Sequence, residues 1–146
     1  MSAAILFCLI VGISDGDTLT ARCGPADAAQ TVKVRLAEID APEKAQPFGQ
    51  RSRQALAALC FKRPATVSVQ TKDRYGRAVA RVECDGLDAS AEQVRTGVAW
   101  VFDRYVKDRS LYALQDEARA AGRGLWADAA PVAPWEWRSA RRNYRL

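Results

Sequence analysis

Histidine is absent from this 146-residue chain. That absence removes serine–histidine–aspartate hydrolysis, histidine-based ribonuclease chemistry and zinc sites that mix imidazole with carboxylate. Any hydrolytic chemistry must instead come from carboxylates, arginines, water and an oxygen-preferring cation. No Cys-x-x-Cys pair occurs: the four cysteines stand at positions 8, 23, 60 and 84, a spacing that disfavours zinc and leaves disulfides or buried thiols. Long apolar runs are missing too. Ala3 to Ile13 is mostly apolar, but it is too short to span a bilayer and no basic segment precedes it. It runs straight into Asp15-Gly16-Asp17, so it reads as a first core strand, with a leader remnant over Met1 to Ala4 and no full secretory signal. Repeats, low-complexity tracts and an interdomain linker are also lacking, and the length suits one domain with its own core.

Charge is present but unevenly placed. The net charge is +5, and the segment from Trp135 to Leu146 holds Arg138, Arg141, Arg142 and Arg145 against Glu136 alone, which accounts for +3 of it. The remainder is close to balanced, unlike a DNA-coating surface. Residues 129–146 therefore read as a basic Trp/Arg-rich extension of a domain over 1–128. Its Trp135, Trp137 and Tyr144 alternate with arginines, as at a nucleic-acid contact. Alternatively, the tryptophans tuck back onto the domain.

The alternation of apolar residues predicts strands near 5–14, 18–23, 31–37, 65–71 and 78–84. A helix after Pro47 would bury Ala55, Leu56, Leu59 and Cys60. Ser90 and Gln93 form a capping-box pattern opening a second helix toward Trp100, and Leu111, Leu114, Ala118 and Ala121 stripe a third that stops at Gly122. The expected class is α+β: a five-stranded OB-type β-barrel with about three packed helices. If Asp15-Gly16 is the tip of a two-residue hairpin, Cys8 lies across from Cys23, and Cys60 is left to pair with Cys84. Such bridges point to an oxidising compartment, periplasmic or secreted. Free buried thiols in a cytosolic protein are the alternative.

The most informative segment is Val34-Arg35-Leu36-Ala37-Glu38-Ile39-Asp40-Ala41-Pro42-Glu43. It begins as a strand with Val34 and Leu36 on one face and Arg35 on the other, and it ends in a turn at Pro42 between two acids. A guanidinium and two carboxylates in one place suit metal-assisted chemistry on a phosphate. An ordinary surface ion cluster is the competing reading.

Four motifs in order make the pattern specific. Asp15-Gly16-Asp17-Thr18, then Val34-Arg35-Leu36 leading to Ile39-Asp40-Ala41-Pro42-Glu43, then Asp73-Arg74-Tyr75-Gly76-Arg77, then Gly122-Arg123-Gly124-Leu125-Trp126 resemble the staphylococcal nuclease-like (thermonuclease) family from about Phe7 to Trp126. The resemblance implies Ca2+ held by Asp17, Asp40 and the backbone carbonyl of Ala41, a position that is threonine in many relatives. It implies that Glu43 orients or deprotonates the attacking water, that Arg35 and Arg77 bind phosphate, and that Asp15 helps position the metal or its waters. Arg74, Tyr75 and Tyr105 match positions lining the nucleotide pocket, whereas Asp103 replaces a pocket aromatic. A glutamate in water is a weak base at neutral pH, so cation assistance and faster turnover at alkaline pH are expected. The implied activity is hydrolysis of DNA and RNA with low base specificity, favouring single-stranded or frayed substrate and leaving 3′-phosphate ends, by a monomer. A non-catalytic OB module that binds nucleic acid and a disulfide-stapled interaction domain are the alternatives.

Overall fold

In the computed structural model, which describes residues 4–143, eight strands and four α-helices follow one another in the chain. Met1 to Ala3, on which the leader reading falls, and Tyr144 and Arg145 of the tail lie outside the described residues. The alternating segments become β1 (Ala4–Asp15), β2 (Thr18–Cys23) and β3 (Gln30–Leu36), with the two-residue β4 (Ile39–Asp40) after them. Beyond helix α1 (Gly49–Cys60) come β5 (Pro64–Lys72), β6 (Ala78–Cys84) and the short β7 (Leu87–Asp88). The sheet runs β3-β2-β1-β5-β6-β7, and a parallel pairing of β3 with β6, from Val34↔Ala78 to Leu36↔Ala80, closes five long strands into a barrel. Ile10, Leu19, Val34, Leu36, Val67 and Val82 point inward and are fully buried. Arg35, between two of them, faces the other way.

The first hairpin departs from the expected register. Its turn is Gly16-Asp17, with Asp15 facing Thr18, and irregularities between Ile10 and Gly12 and between Ile13 and Asp15 shift the pairing twice. Those two shifts return Cys8 to a position opposite Cys23, where the disulfide forms. The second disulfide, Cys60–Cys84, ties the end of α1 to β6.

The second helix, α2 (Ala89–Arg95), ends before Trp100, and its start differs from the capping-box expectation. Asp88 is the cap, its carboxylate accepting from the Ala91 N–H at 2.9 Å. Ser90 donates instead to the Ala37 carbonyl, and Gln93 to the carbonyls of Gly16 and Ser52, so both are spent on tertiary bonds inside the core. Two-residue β8 (Trp100–Val101) pairs antiparallel with β4, setting Asp40 opposite Trp100. In α3 (Leu111–Ala120) the buried stripe is Leu111, Gln115 and Ala118, because Gln115 accepts from the Val101 N–H; Ala121 is exposed. A 3-10 turn over Gly124–Ala127 and a fourth helix, α4 (Pro134–Asn143), complete the fold. No helix among the described residues is long and apolar enough to cross a membrane.

Candidate active site

The site is assembled where the tip of the first hairpin, the end of β3 and the turn after β4 meet. Gly16 makes that approach possible: a Cβ there would lie 1.8 Å from Ser52 Oγ and 2.9 Å from the Ala41 side chain. Only a glycine lets the tip lie flat against α1, and the Gln93 amide then fixes its carbonyl at 2.9 Å. The neighbouring Asp17 is thereby buried against the Asp40–Ala41 segment, with Oδ2 accepting from the Ala41 N–H at 2.7 Å.

Arg35 reaches the same place from β3. One terminal nitrogen donates to the carbonyls of Leu36 and Ile39 and lies 3.4 Å from Asp17 Oδ2; the other lies 3.3 Å from Asp40 Oδ1. The guanidinium is thus clamped by backbone and already oriented, with its side chain 15% exposed. Burial opposes the charge on Asp17, but Arg35, a hydrogen bond from Asp15 and the Ala41 N–H outweigh it and hold its pKa below the usual carboxylate value. Asp15, half-buried beside that charge, moves the opposite way: burial and repulsion from Asp17 raise it to about 7. Burial, helped by Asp17, likewise lifts Asp40 to about 6.

Glu43 stands at the rim. Gln46 Oε1 accepts from its N–H at 3.1 Å, and its carbonyl packs so tightly on Gly49 that a Cβ there would come within 2.0 Å. The short loop between β4 and α1 is therefore rigidly held from both ends.

Not all expected site residues touch this cluster. Arg77 sits just before β6, which runs beside β3, but its guanidinium binds Asp73 at 2.7 Å and lies 5.6 Å from the Tyr75 ring. Arg74 stacks on Tyr75 at 5.0 Å, and that whole turn is exposed apart from Asp73 and Arg77. Tyr105 is exposed and meets Phe102 edge-on at 4.9 Å. The loop bearing Tyr105 is fastened by Glu38, a residue that pattern reading passed over. Its buried carboxylate accepts from the N–H groups of Lys107 and Asp108 and from Arg81, while its carbonyl accepts from the Phe102 N–H. A left-handed φ of 73° was its only unusual trait, and no local sequence pattern marks that.

The larger surprise is Arg138. From the second turn of α4 it donates to Asp40 at 2.6 and 3.1 Å and to Glu43 at 2.8 Å, bridging the two acids. Burial works against its charge, but the bonds to Asp40 and Glu43 prevail and push its pKa up. Trp135, on the same helical face, stacks on Phe102 at 5.4 Å and meets Trp100 edge-on at 5.6 Å. The tail tryptophans thus pack back onto the domain.

Among the described residues no three acidic or cysteine side chains converge into a metal cage. The donor set nevertheless fits a hard cation that also takes carbonyl, phosphate and water oxygens. The buried acids Asp17 and Asp40 share one corner, and a cationic guanidinium has settled onto Asp40 and Glu43. The charge of this corner is satisfied by positive groups.

The structure is thus an OB-type barrel that gathers carboxylates and a clamped arginine at the end of β3. The family model described as staphylococcal nuclease homologue matches residues 33–128, and the chain belongs to that family. A Haemophilus influenzae protein named an uncharacterized endonuclease is 43% identical over 131 residues, covering 90% of this chain and 72% of the relative. An Escherichia coli O157:H7 protein of the same name is 42% identical over 130 residues, covering 88% and 82%. A Shigella flexneri protein named micrococcal nuclease is 39% identical over 145 residues, covering 92% and 81%.

Proposed function

We propose that the chain is a nuclease that hydrolyses phosphodiester bonds in DNA and RNA with little base preference, using Ca2+. The observation that carries this reading is the pairing of the buried Asp17 and Asp40 with the clamped guanidinium of Arg35, with Glu43 on the adjoining turn joined to Asp40 through Arg138. Relatives named endonuclease and micrococcal nuclease support it.

Asp17, Asp40 and the Ala41 carbonyl would hold the cation, with Asp15 steadying its water shell. When bound, the cation would acidify water and offset phosphate charge. Glu43, at the solvent rim of the same turn, accepts the proton of the attacking water and orients it for in-line attack. Arg35 then offers forked donors to the phosphate oxygens as negative charge builds, and its fixed position means no reorganisation is needed at that moment. Arg77 supplies the second fork by releasing Asp73, a partly exposed partner it can give up cheaply. Arg74, Tyr75 and Tyr105 form exposed surface on which a base can stack, which fits unpaired or frayed strands better than intact duplex. Cleavage leaves 3′-phosphate ends. The protein acts as a monomer, and its two disulfides suit a periplasmic or secreted location.

Cleavage of denatured DNA in Ca2+, abolished by EGTA, is the test. Glu43→Gln is expected to lower kcat by about 10^2-fold or more while leaving folding intact. A binding module without catalysis is the rival reading, and Arg138 lying across Asp40 and Glu43 favours it. Wild-type protein that binds DNA with salt-dependent affinity but cuts it in no divalent cation would establish that rival instead.

A further inference from the structure

We propose that Arg138 competes with the divalent cation for Asp40, so that cation binding requires its guanidinium to leave. This rests on the metal-site reading above.

The Asp40 side chain is 1% exposed, so its charge must be answered by neighbours rather than by water. Arg35 answers it only through one 3.3 Å contact, being committed to two backbone carbonyls. Arg138 supplies the rest through both terminal nitrogens, at 2.6 and 3.1 Å, and with the second of these it also holds Glu43 at 2.8 Å. A cation on Asp40 and a guanidinium across both its oxygens would share the same lone pairs and repel each other.

The guanidinium is delivered there by construction. Trp135, one turn earlier, is fixed by Phe102 and Trp100, and Trp100 is the strand partner of Asp40. The Val132 carbonyl, just ahead of α4, accepts from Gln46 Nε2 at 2.7 Å, and the same Gln46 holds the Glu43 N–H. The start of the helix is therefore tied to the two elements that carry the acids. The Arg138 side chain is 36% exposed and long, so it can swing to solvent while Trp135 stays docked.

The sign of the effect separates competition from simple support. If Arg138 only propped the site, removing it would loosen Asp40 and weaken cation binding. If it competes, removing it strengthens binding. Ca2+ affinity by calorimetry on metal-stripped wild type, Arg138→Gln and Arg138→Lys is the experiment. Arg138→Gln is expected to bind Ca2+ at least five-fold more tightly, equivalent to about 1 kcal/mol. Arg138→Lys, whose ammonium has no fork to span both acids, should fall between, and it serves as the readout if the glutamine variant does not fold. Thermal unfolding gives a second readout: Arg138→Gln should melt below wild type in EDTA, with the gap narrowing in Ca2+. Equal or weaker Ca2+ binding by the variants overturns the competition and leaves the metal site standing. Folded proteins that all fail to bind Ca2+ or any other divalent cation overturn the metal reading, and the competition with it.

Discussion

Asp15 and Asp40 hold protons to higher pH in the folded chain than in the unfolded one, where each titrates near 3.8. Burial dominates both shifts, to about 7 and about 6, with the Asp17 charge adding to each. A carboxylate raised on folding contributes stability that is complete below its unfolded pKa and lost as pH climbs through the folded one. Asp17, Glu38, Asp73 and Asp108 shift the other way, so their contribution changes only below their ordinary values and leaves this window clear. The melting temperature in EDTA should therefore fall as pH rises from about 5 to about 7, and Asp15→Asn should flatten part of that slope. A profile flat across this range would contradict the burial argument. At the proposed Ca2+ site protons and the cation would claim the same Asp40 oxygens, so Ca2+ should oppose the fall. At this scale the sequence was partly readable. Asp40 and Glu43 are three residues apart across a proline turn, and their neighbourhood follows from the chain alone. Arg138 does not: its arrival depends on Trp135 stacking on Phe102, a contact between distant segments that no local pattern encodes.

At the level of elements, the long strands were legible because each alternates between core and solvent, and helix α1 because Leu56 and Cys60 share one face. β4, β7 and β8 are two residues each, too short for a period to register. The hairpin disulfide was anticipated with the turn placed one residue early, since bulges leave no trace in a pairing rule. Helix α2 is the most instructive miss. Ser90 and Gln93 have the spacing of a cap, yet each found a better partner in the core, and Asp88 took the role. Asp88→Ala should cost about 1 kcal/mol in urea unfolding, and somewhat more if its bond to Arg81 also counts. A loss within error would mean that the Ala91 N–H finds another acceptor.

For the whole molecule, the two disulfides span sequence separations of 15 and 24 residues. By restricting the unfolded chain each should contribute on the order of 3 kcal/mol, a large share of a small domain's margin. Reduction by dithiothreitol should shift the urea midpoint down sharply, and an unmoved midpoint would show that the bridges constrain little. Charge was legible in its total and in its excess at the end of the chain, but not in the fact that one of those arginines turns inward.

The closing pair of the barrel, Val34 beside Ala78, also bears on timing. Strand pairing between distant segments is slow, because the loop between them must first be brought to order. Asp17, Arg35 and Asp40 are gathered by the local pairing of β2 with β3, whereas Arg138 joins Asp40 across 98 residues of chain. A refolding chain should gain helix and hairpin signals early, and the contact of Arg138 with Asp40 last of all. The last contact to form is then the one that covers Asp40.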